Sequence, residues 1–151
     1  MLDAINRRII LALQDNARLS FAELGKRVHL SAPAVAERVR KLEAAGVIRG
    51  YRVQVDLDRA GFPIVALVQC TVFRTKEREF KQLMLACPEV VECFNVTGEQ
   101  AFIVRVAVPS MARLDAILEE FCTLSDTNTM VVLSKPRERE LPSSFGEAAL
   151  P

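Results

Sequence analysis

The chain has 151 residues, of which 50% are hydrophobic and 26% are charged. This length and composition exclude a mainly disordered protein and suit one domain or two small ones. The formal net charge of +1 excludes a basic surface over the whole molecule. The ends differ, since residues 1–60 hold 11 Lys/Arg against 7 Asp/Glu and residues 61–151 hold 9 against 12. This asymmetry favours an anionic partner at the N-terminal end.

The sequence predicts a cytoplasmic protein with no membrane segment and no metal site. Charged residues interrupt the apolar N-terminus, and the longest apolar run, near residues 62–68, is too short to cross a bilayer. The four cysteines lie 17, 6 and 29 positions apart and form no C-x-x-C pair, and the only histidine is His29. These spacings do not suit zinc, so we expect free thiols in a reducing compartment and no cofactor.

Helical periodicity predicts three helices in the first sixty residues. The first extends over about 3–14, where apolar residues recur at helical spacing. Ser20 and Glu23 then form the S-x-x-E capping box of a second helix. A turn at 29–31 leads into a third helix, with Ser31 as its N-cap and proline tolerated in its first turn. The apolar face expected for the second helix comprises Phe21, Leu24 and Val28.

The turn and the third helix carry further local signals. Gly46 follows the last periodic residue and is expected to end the helix as its C′ residue. His29 stands at the turn position that often adopts a positive φ and usually carries glycine. The buried stripe is predicted to comprise Val35, Val39 and Leu42, and the solvent stripe Ala34, Arg38, Lys41 and Ala45.

Two helices joined by a tight turn form a helix-turn-helix, and the residues of the third helix suit DNA recognition. Its N-terminal end holds only small residues, which permits a close approach to base edges in the major groove. Arg38, Arg40 and Lys41 lie further along, where they can meet phosphates or a guanine edge. An ordinary amphipathic helix with a solvated charged face remains the alternative.

The sequence after Gly46 predicts a connecting strand and then a linker. VIRGYRVQVD, residues 47–56, alternates apolar and polar side chains as a strand does. LDRAGFP follows with a glycine and a proline, so we place the domain boundary near residue 62.

The second half of the chain predicts a ferredoxin-like βαββαβ domain, a four-stranded sheet with both helices on one face. The first strand is apolar on both faces, so we expect a second subunit to cover the face without helices; a polar open face is the alternative. Strands are predicted at 63–74, 90–98, 101–108 and 129–135, with helices at 76–86 and from 110 onward. The side chains expected to face inward are Phe80, Leu83 and Met84 from the first helix, and Met111, Leu114, Ile117, Leu118 and Phe121 from the second.

Four stretches of the chain carry a family resemblance: LDAINRRIILALQDNARLSFAELGKRV, LSAPAVAERVRKLEAAGVIRGY, VTGEQAFIVRV and DTNTMVVL. Together they resemble the Lrp/AsnC family of bacterial and archaeal transcription regulators. The resemblance implies an α+β protein, with an N-terminal winged-type helix-turn-helix followed by a βαββαβ ferredoxin-like domain called RAM. The implied organisation is a DNA-binding domain at 1–50, a connecting strand and linker at 51–62, the RAM domain at 63–136 and a tail at 137–151.

The resemblance also implies partners and site residues. The expected partners are double-stranded DNA, a small amino-acid effector and further copies of the chain, as a homodimer that assembles into an octamer. Carried over by position, the DNA-binding residues are Ser31, Ala32, Pro33, Ala34, Glu37, Arg38, Arg40 and Lys41. The effector-binding residues carried over in the same way are Thr97, Gly98, Glu99, Gln100 and Ala101 of the loop, with Thr127 and Thr129 reaching the effector from across the subunit interface.

The expected effector loop departs from the family pattern at Ala101. Family members often have Gly-x-x-Asp here, and the fourth position of this chain is alanine. The missing carboxylate disfavours polar or basic effectors and favours apolar ones such as leucine or methionine. Backbone amides after Gly98 can still bind a carboxylate. A plain hairpin turn with no ligand is the alternative.

Two other functions remain open on the sequence. One is a metabolite-binding oligomeric protein whose helix-turn-helix contacts proteins and not DNA. The other is a small dimeric ferredoxin-like enzyme, which is disfavoured because the sequence has no phosphate loop, no Ser/His/Asp arrangement and no metal-ligand spacing. We therefore expect a regulator and no enzymatic activity.

Overall fold

The computed structural model describes residues 2–99, 101–136, 138 and 141–146. The chain divides into two units, of which the first comprises residues 1–54 with 137–151 and the second residues 55–136. The division between residues 54 and 55 therefore falls before the boundary expected near residue 62, and residues 137–151 group with the first unit.

Three helices, each closed at its N-terminus by a capping side chain, form most of the first unit. The Asp3 carboxylate accepts the Asn6 N–H at 2.7 Å and starts the first helix. Ser20 and Glu23 make both hydrogen bonds of the predicted capping box, and Ser31 caps the third helix. The helices are α1 (Ala4–Asp15), α2 (Phe21–Val28) and α3 (Ala32–Ala44), which confirms the predicted helix-turn-helix.

Aliphatic side chains from all three helices form one core. Phe21, expected on the apolar face of α2, is instead 46% exposed, so this expectation is wrong. It is the first residue of α2 and lies one turn before the buried part of the helix. The buried residues of this core are Ile9, Ala12, Leu24, Val28, Val35, Val39 and Leu42, which confirms the stripe predicted for α3.

The turn between α2 and α3 brings two backbone segments close together. His29 adopts the left-handed conformation, with φ 58° and ψ 45°, as its turn position predicts. The Leu30 N–H then donates to the Gly25 carbonyl oxygen at 3.0 Å. A β-carbon at Gly25 would collide with the Leu30 carbonyl oxygen, so only glycine fits here. Gly46, with φ 69°, ends α3 as predicted.

In the single chain that the structure describes, the segment 47–56 forms no strand, whereas the sequence predicted a connecting strand here. A strand needs a neighbouring strand to pair its N–H and C=O groups, and the four-stranded sheet of the described chain does not include this segment. Its alternating apolar side chains remain exposed, with Val53 at 87%.

The second unit has the predicted βαββαβ order. Its elements are β1 (Ile64–Val72), α4 (Glu77–Ala86), β2 (Val90–Asn95), β3 (Phe102–Val108), α5 (Met111–Cys122) and β4 (Ser125–Val131). The sheet order is β2-β3-β1-β4, with antiparallel neighbours throughout, which is the ferredoxin-like arrangement. The last strand starts and ends earlier than the predicted 129–135. Its first residues are polar, which disfavoured a strand on the sequence, but they pair with β1 through their backbone N–H and C=O groups.

Both helices of the second unit pack on one face of the sheet, as predicted. The Phe80 ring lies at their centre, 5.1 Å from the Phe102 ring and 6.2 Å from the Phe121 ring. Met111 was expected to face inward but is 57% exposed, because it is the first residue of α5 and lies before the buried stripe of that helix. The buried residues of this core include Ala66, Val68, Cys70, Met84, Val104, Val106, Leu114 and Ile117.

The opposite side of the sheet carries apolar side chains and two polar pairs. Asn128 donates to the Gln69 side-chain oxygen at 3.0 Å, and Arg105 lies 2.9 Å from the Glu92 carboxylate. The apolar side chains are half-buried or exposed in the single chain. We name them the open sheet face: Val65, Leu67, Phe94, Ile103 and Met130.

Part of the C-terminal tail packs on α1. It forms a short 3-10 helix at Ser143–Gly146. Arg7 donates from Nη1 to the Phe145 carbonyl oxygen at 3.1 Å, and its guanidinium carbon lies 5.4 Å from the centre of the Phe145 ring. These contacts explain why the tail belongs to the first unit.

Candidate DNA-recognition helix and effector loop

The N-terminal end of α3 presents small side chains at the surface. Ser31 and Pro33 are exposed, and Ala32 and Ala34 are half-buried. The Ser31 hydroxyl accepts the Ala34 N–H at 3.4 Å, so this side chain is turned back onto the helix. A partner surface can therefore approach the backbone of this turn closely.

Charged side chains follow along the exposed side of α3. The Glu37 carboxylate forms an ion pair with Arg40 and lies 3.7 Å from the Lys41 amino group. All three side chains are exposed, and exposed pairs of this kind contribute only about 0–1 kcal/mol. A phosphate group can therefore replace Glu37 as the partner of either cation at little cost.

Arg38, predicted in the solvent stripe, is only partly exposed and bonds within the first unit. Its guanidinium donates to Asp3 at 2.6 Å and to Asn6 at 2.9 Å, and its side chain is 31% exposed. The hydrogen bond from the Asn6 N–H and then the bond from Arg38 hold the pKa of the Asp3 carboxyl below its usual value. Arg38 thus ties α3 to the start of α1.

The chain that follows α3 is fixed to the end of that helix. The N–H groups of Val47 and Ile48 donate to the Leu42 carbonyl oxygen at 2.9 and 3.1 Å, and the Ile48 side chain packs against the core. The Tyr51 hydroxyl donates to the Glu43 carboxylate at 2.8 Å. Sequence reasoning missed this arrangement because alternation alone assigned the segment to a strand.

Two arginines flank the tyrosine, and we name residues 49–52 the basic segment. Arg49 and Arg52 are exposed, and neither has an ion-pair partner among the residues that the structure describes. Partial burial and then the bond to Glu43 raise the pKa of Tyr51 to about 12. Tyr51 therefore keeps its proton near neutral pH and remains a hydrogen-bond donor.

The expected effector loop joins β2 to β3. Thr97, Gly98 and Glu99 are exposed, and Ala101 is half-buried against the core of the second unit. The Val96 N–H donates to the Ala101 carbonyl oxygen at 2.7 Å and closes the base of the loop. Gly98 has φ 117°, a conformation that L side chains rarely adopt. Gln100, also expected in this site, lies outside the described residues.

The two threonines expected from across the subunit interface lie away from this loop within one chain. Thr127 and Thr129 lie on β4, half-buried on the side of the sheet that carries the helices. Thr127 and Phe102 are in one row across the sheet, with Cys70 of β1 between them. Two strand spacings of about 4.8 Å therefore separate Thr127 from the strand that follows the loop.

The described residues contain no group of three or more His, Cys, Asp or Glu side chains that could hold a metal ion. All four cysteines are free. Cys70 and Cys87 are buried, and burial raises the pKa of both thiols, that of Cys70 to about 11. Within the same part of the chain, no helix is long and apolar enough to span a membrane.

Two family models match the chain, one for each unit. The AsnC-type helix-turn-helix domain matches residues 2–43, and the Lrp/AsnC ligand binding domain matches residues 65–142. The chain belongs to the Lrp/AsnC family. The first model covers the helices that carry the small and charged face of α3, and the second covers the whole βαββαβ sheet.

Lrp/AsnC relatives align with nearly the whole chain. HTH-type transcriptional regulator LrpC of Bacillus subtilis is 31% identical over 134 residues, which is 89% of this chain and 93% of LrpC. HTH-type transcriptional regulator Rv2324 of Mycobacterium tuberculosis is 36% identical over 145 residues, which is 93% of this chain and 98% of that protein.

Solved Lrp/AsnC structures have the same fold. The structure of LrpC superposes with a TM-score of 0.87 at 30% identity and covers 92% of this chain and 99% of its own. Transcriptional regulator NMB0573 of Neisseria meningitidis, crystallised as a complex with L-Met, superposes with a TM-score of 0.88 at 25% identity. That match covers 94% of this chain and 97% of NMB0573.

The substitution Asp3→Ala tests whether Arg38 serves the fold of the first unit. It removes the N-cap of α1 and the carboxylate partner of Arg38, so we expect a loss of about 1–2 kcal/mol in the free energy of unfolding. Because the fold lowers the pKa of Asp3, this contribution is present near neutral pH and is lost as the pH falls below about 4. Thermal unfolding of the full chain at both pH values measures it.

The matched control is Asp15→Ala, which removes an exposed carboxylate at the other end of α1. A negative charge at a helix C-terminus is unfavourable, so this change should not destabilise the chain. Equal melting temperatures for Asp3→Ala and the unsubstituted protein near neutral pH would contradict the assigned role of Arg38.

Proposed function

We propose that this protein is a transcriptional regulator that binds double-stranded DNA through α3 and responds to an amino acid bound by its second unit. One observation carries the proposal: the exposed N-terminal end of α3 holds only small side chains, in a chain whose other unit is an Lrp/AsnC ligand binding domain. LrpC and Rv2324 are both transcriptional regulators by name. Because such a regulator must reach chromosomal DNA, we propose that it acts in the cytoplasm.

In this proposal the first turn of α3 lies in the major groove, where an α-helix fits. Glu37 lies one turn further along and can accept a hydrogen bond from a cytosine amino group. Arg40 and Lys41 leave their ion pairs with Glu37 and contact phosphates of the DNA backbone, because these exposed ion pairs are weak. The residues that approach the base edges are Ser31, Ala32, Pro33 and Ala34.

Arg38 has a different role in this proposal from the one expected by position. The Nη1 group of its guanidinium already bonds to Asp3 and Asn6, so turning this group towards a phosphate would break two hydrogen bonds of the first unit. The Arg38 side chain is 31% exposed, against 71% for Arg40 and 75% for Lys41, so Arg38 is the least accessible of the three cations. Arg38 therefore holds α3 in position and leaves phosphate contact to the exposed cations.

The open sheet face supports a homodimer. It is an apolar patch that water covers in a single chain and that a second copy would bury. Two-fold symmetry then presents two copies of α3, which requires a pseudo-palindromic site with half-sites separated by whole helical turns of about 10–10.5 base pairs. Further association of four dimers into an octamer is the larger assembly that we propose.

We further propose that the β2–β3 loop binds the carboxylate of an apolar amino acid, such as leucine or methionine. Thr97, Gly98 and Glu99 are exposed, and exposed backbone N–H groups in a turn can bind anions. Ala101 offers no carboxylate for a polar effector side chain, and the related NMB0573 was crystallised with L-Met. Thr127 and Thr129 lie away from the loop of their own chain, so in this proposal they reach the effector of a neighbouring subunit.

Fluorescence anisotropy with labelled DNA from upstream of the protein's own gene tests the DNA proposal. At fixed salt and with unrelated competitor DNA, we expect specific binding that Arg40→Ala combined with Lys41→Ala weakens about ten-fold. Lys76→Ala combined with Lys81→Ala removes two exposed, ion-paired cations of the second unit and should leave the affinity unchanged. No binding above the competitor background would contradict the proposal and favour a metabolite-binding protein.

The same assay with amino acids added one at a time tests the effector site. Leucine or methionine should shift the DNA affinity or the stoichiometry. Gly98→Val should abolish that shift and leave DNA binding without amino acid intact, because valine does not adopt a positive φ readily. DNA binding that no amino acid changes would contradict the effector proposal and leave the DNA proposal standing.

Sedimentation equilibrium of the full chain at micromolar concentration tests the homodimer. We expect a dimer or a multiple of it, and we expect Leu67→Glu on the open sheet face to shift the equilibrium towards monomer, because the charge would be buried without a partner. Leu85→Glu places the same charge on α4, where the native side chain is 90% exposed, and should change nothing. A monomeric unsubstituted protein would overturn the assembly proposal.

A further inference from the structure

The basic segment carries two arginines, Arg49 and Arg52, that are not part of the DNA-binding face proposed above. Residues 1–54 hold 10 Lys/Arg against 5 Asp/Glu. Glu37 offsets Arg40 and Lys41, whereas Glu43 bonds to a neutral phenol and neutralises no cation. Arg49 and Arg52 therefore keep their full charge next to the end of α3.

The backbone that carries the two arginines is held in place. The bonds to the Leu42 carbonyl and the packing of Ile48 fix the chain directly after α3. Gly50 then adopts φ 153°, which a residue with a side chain rarely does. Tyr51 returns to the helix through its bond to Glu43. Cations on a fixed backbone lose less conformational entropy on binding than cations on a loose one.

The length of α3 directs this segment towards the DNA backbone. A helix of 13 residues is about 20 Å long, while the major groove is only about 8.5 Å deep. When α3 enters the groove with its N-terminal end foremost, this length brings its C-terminal end to the rim, where the phosphates are. The guanidinium group matches a phosphate with two parallel hydrogen bonds.

We propose that Arg49 and Arg52 contact DNA phosphates at the edge of the groove, and that the Tyr51–Glu43 hydrogen bond positions them there. This inference rests on the DNA-binding function proposed above. Arg49 and Arg52 would raise affinity for all sequences alike, since phosphates carry no sequence information. Tyr51 and Glu43 act through the arginines and are positioning residues.

The salt dependence of DNA binding tests the phosphate contacts. Each neutralised phosphate contributes about 0.9 to the slope of log affinity against log salt, so Arg49→Ala combined with Arg52→Ala should reduce the slope by about 1.8. The loss of affinity should be the same for specific and unrelated DNA. Arg74→Ala combined with Arg78→Ala removes two exposed arginines of the second unit and serves as the control.

The possible outcomes separate this inference from the DNA-binding proposal. If the unsubstituted protein binds its DNA and the Arg49/Arg52 variant has the same slope as the control, the inference is overturned and the proposed function stands. If the unsubstituted protein binds no DNA, both are overturned. A reduced slope for the Arg49/Arg52 variant alone supports the inference.

Two substitutions of Glu43 test the positioning hydrogen bond at constant charge. Glu43→Gln and Glu43→Ala both remove the carboxylate, but only glutamine retains an oxygen that can accept the Tyr51 hydroxyl. We expect Glu43→Gln to bind DNA at least as tightly as the unsubstituted protein, and Glu43→Ala to bind two- to ten-fold more weakly than Glu43→Gln, as expected for about one hydrogen bond. Equal affinities of the two variants would overturn the positioning role.

Discussion

The backbone contact between Gly25 and Leu30 fixes how α3 leaves α2, and the presentation of α3 depends on it. The contact requires a glycine, because any β-carbon would collide with the Leu30 carbonyl oxygen. It also requires His29 in the left-handed conformation, which costs a residue with a side chain about 1 kcal/mol. Burial of side chains from α2 and α3 must therefore offset this cost and stabilise the turn. The turn in this conformation places the small residues after Ser31 at the surface.

The cations of α3 divide into two groups by what they already bond to. Arg38 makes two hydrogen bonds within the first unit through Nη1, which turn its guanidinium towards Asp3 and Asn6. Arg40 and Lys41 share one exposed carboxylate, and such pairs contribute little in water. The exposed cations are therefore available to an anionic partner, whereas Arg38 serves the fold. A count of charges on the sequence does not distinguish these groups.

Local signals predicted the fold well, and long-range contacts account for what the sequence missed. The capping box at Ser20, the N-cap at Ser31 and the glycine after α3 act within one turn of the chain, so they can be identified from neighbouring residues. The bond between Asp3 and Arg38 spans 35 positions, and no periodic pattern reports it. Alternation in 47–56 predicted a strand, but pairing depends on a neighbour that alternation does not supply. The turn between β2 and β3 was predicted from the residues, whereas its role as an effector loop came from the resemblance alone.

Methylation interference on the specific DNA site tests most directly whether α3 reads the major groove. Methylation at guanine N7 modifies that groove, and methylation at adenine N3 modifies the minor groove. If α3 reads the major groove, guanine N7 methylation blocks binding in two half-sites whose centres are separated by whole turns of about 10–10.5 base pairs. Interference from adenine N3 alone, with none from guanine N7, would show that the protein approaches from the minor groove and that α3 does not read the major groove.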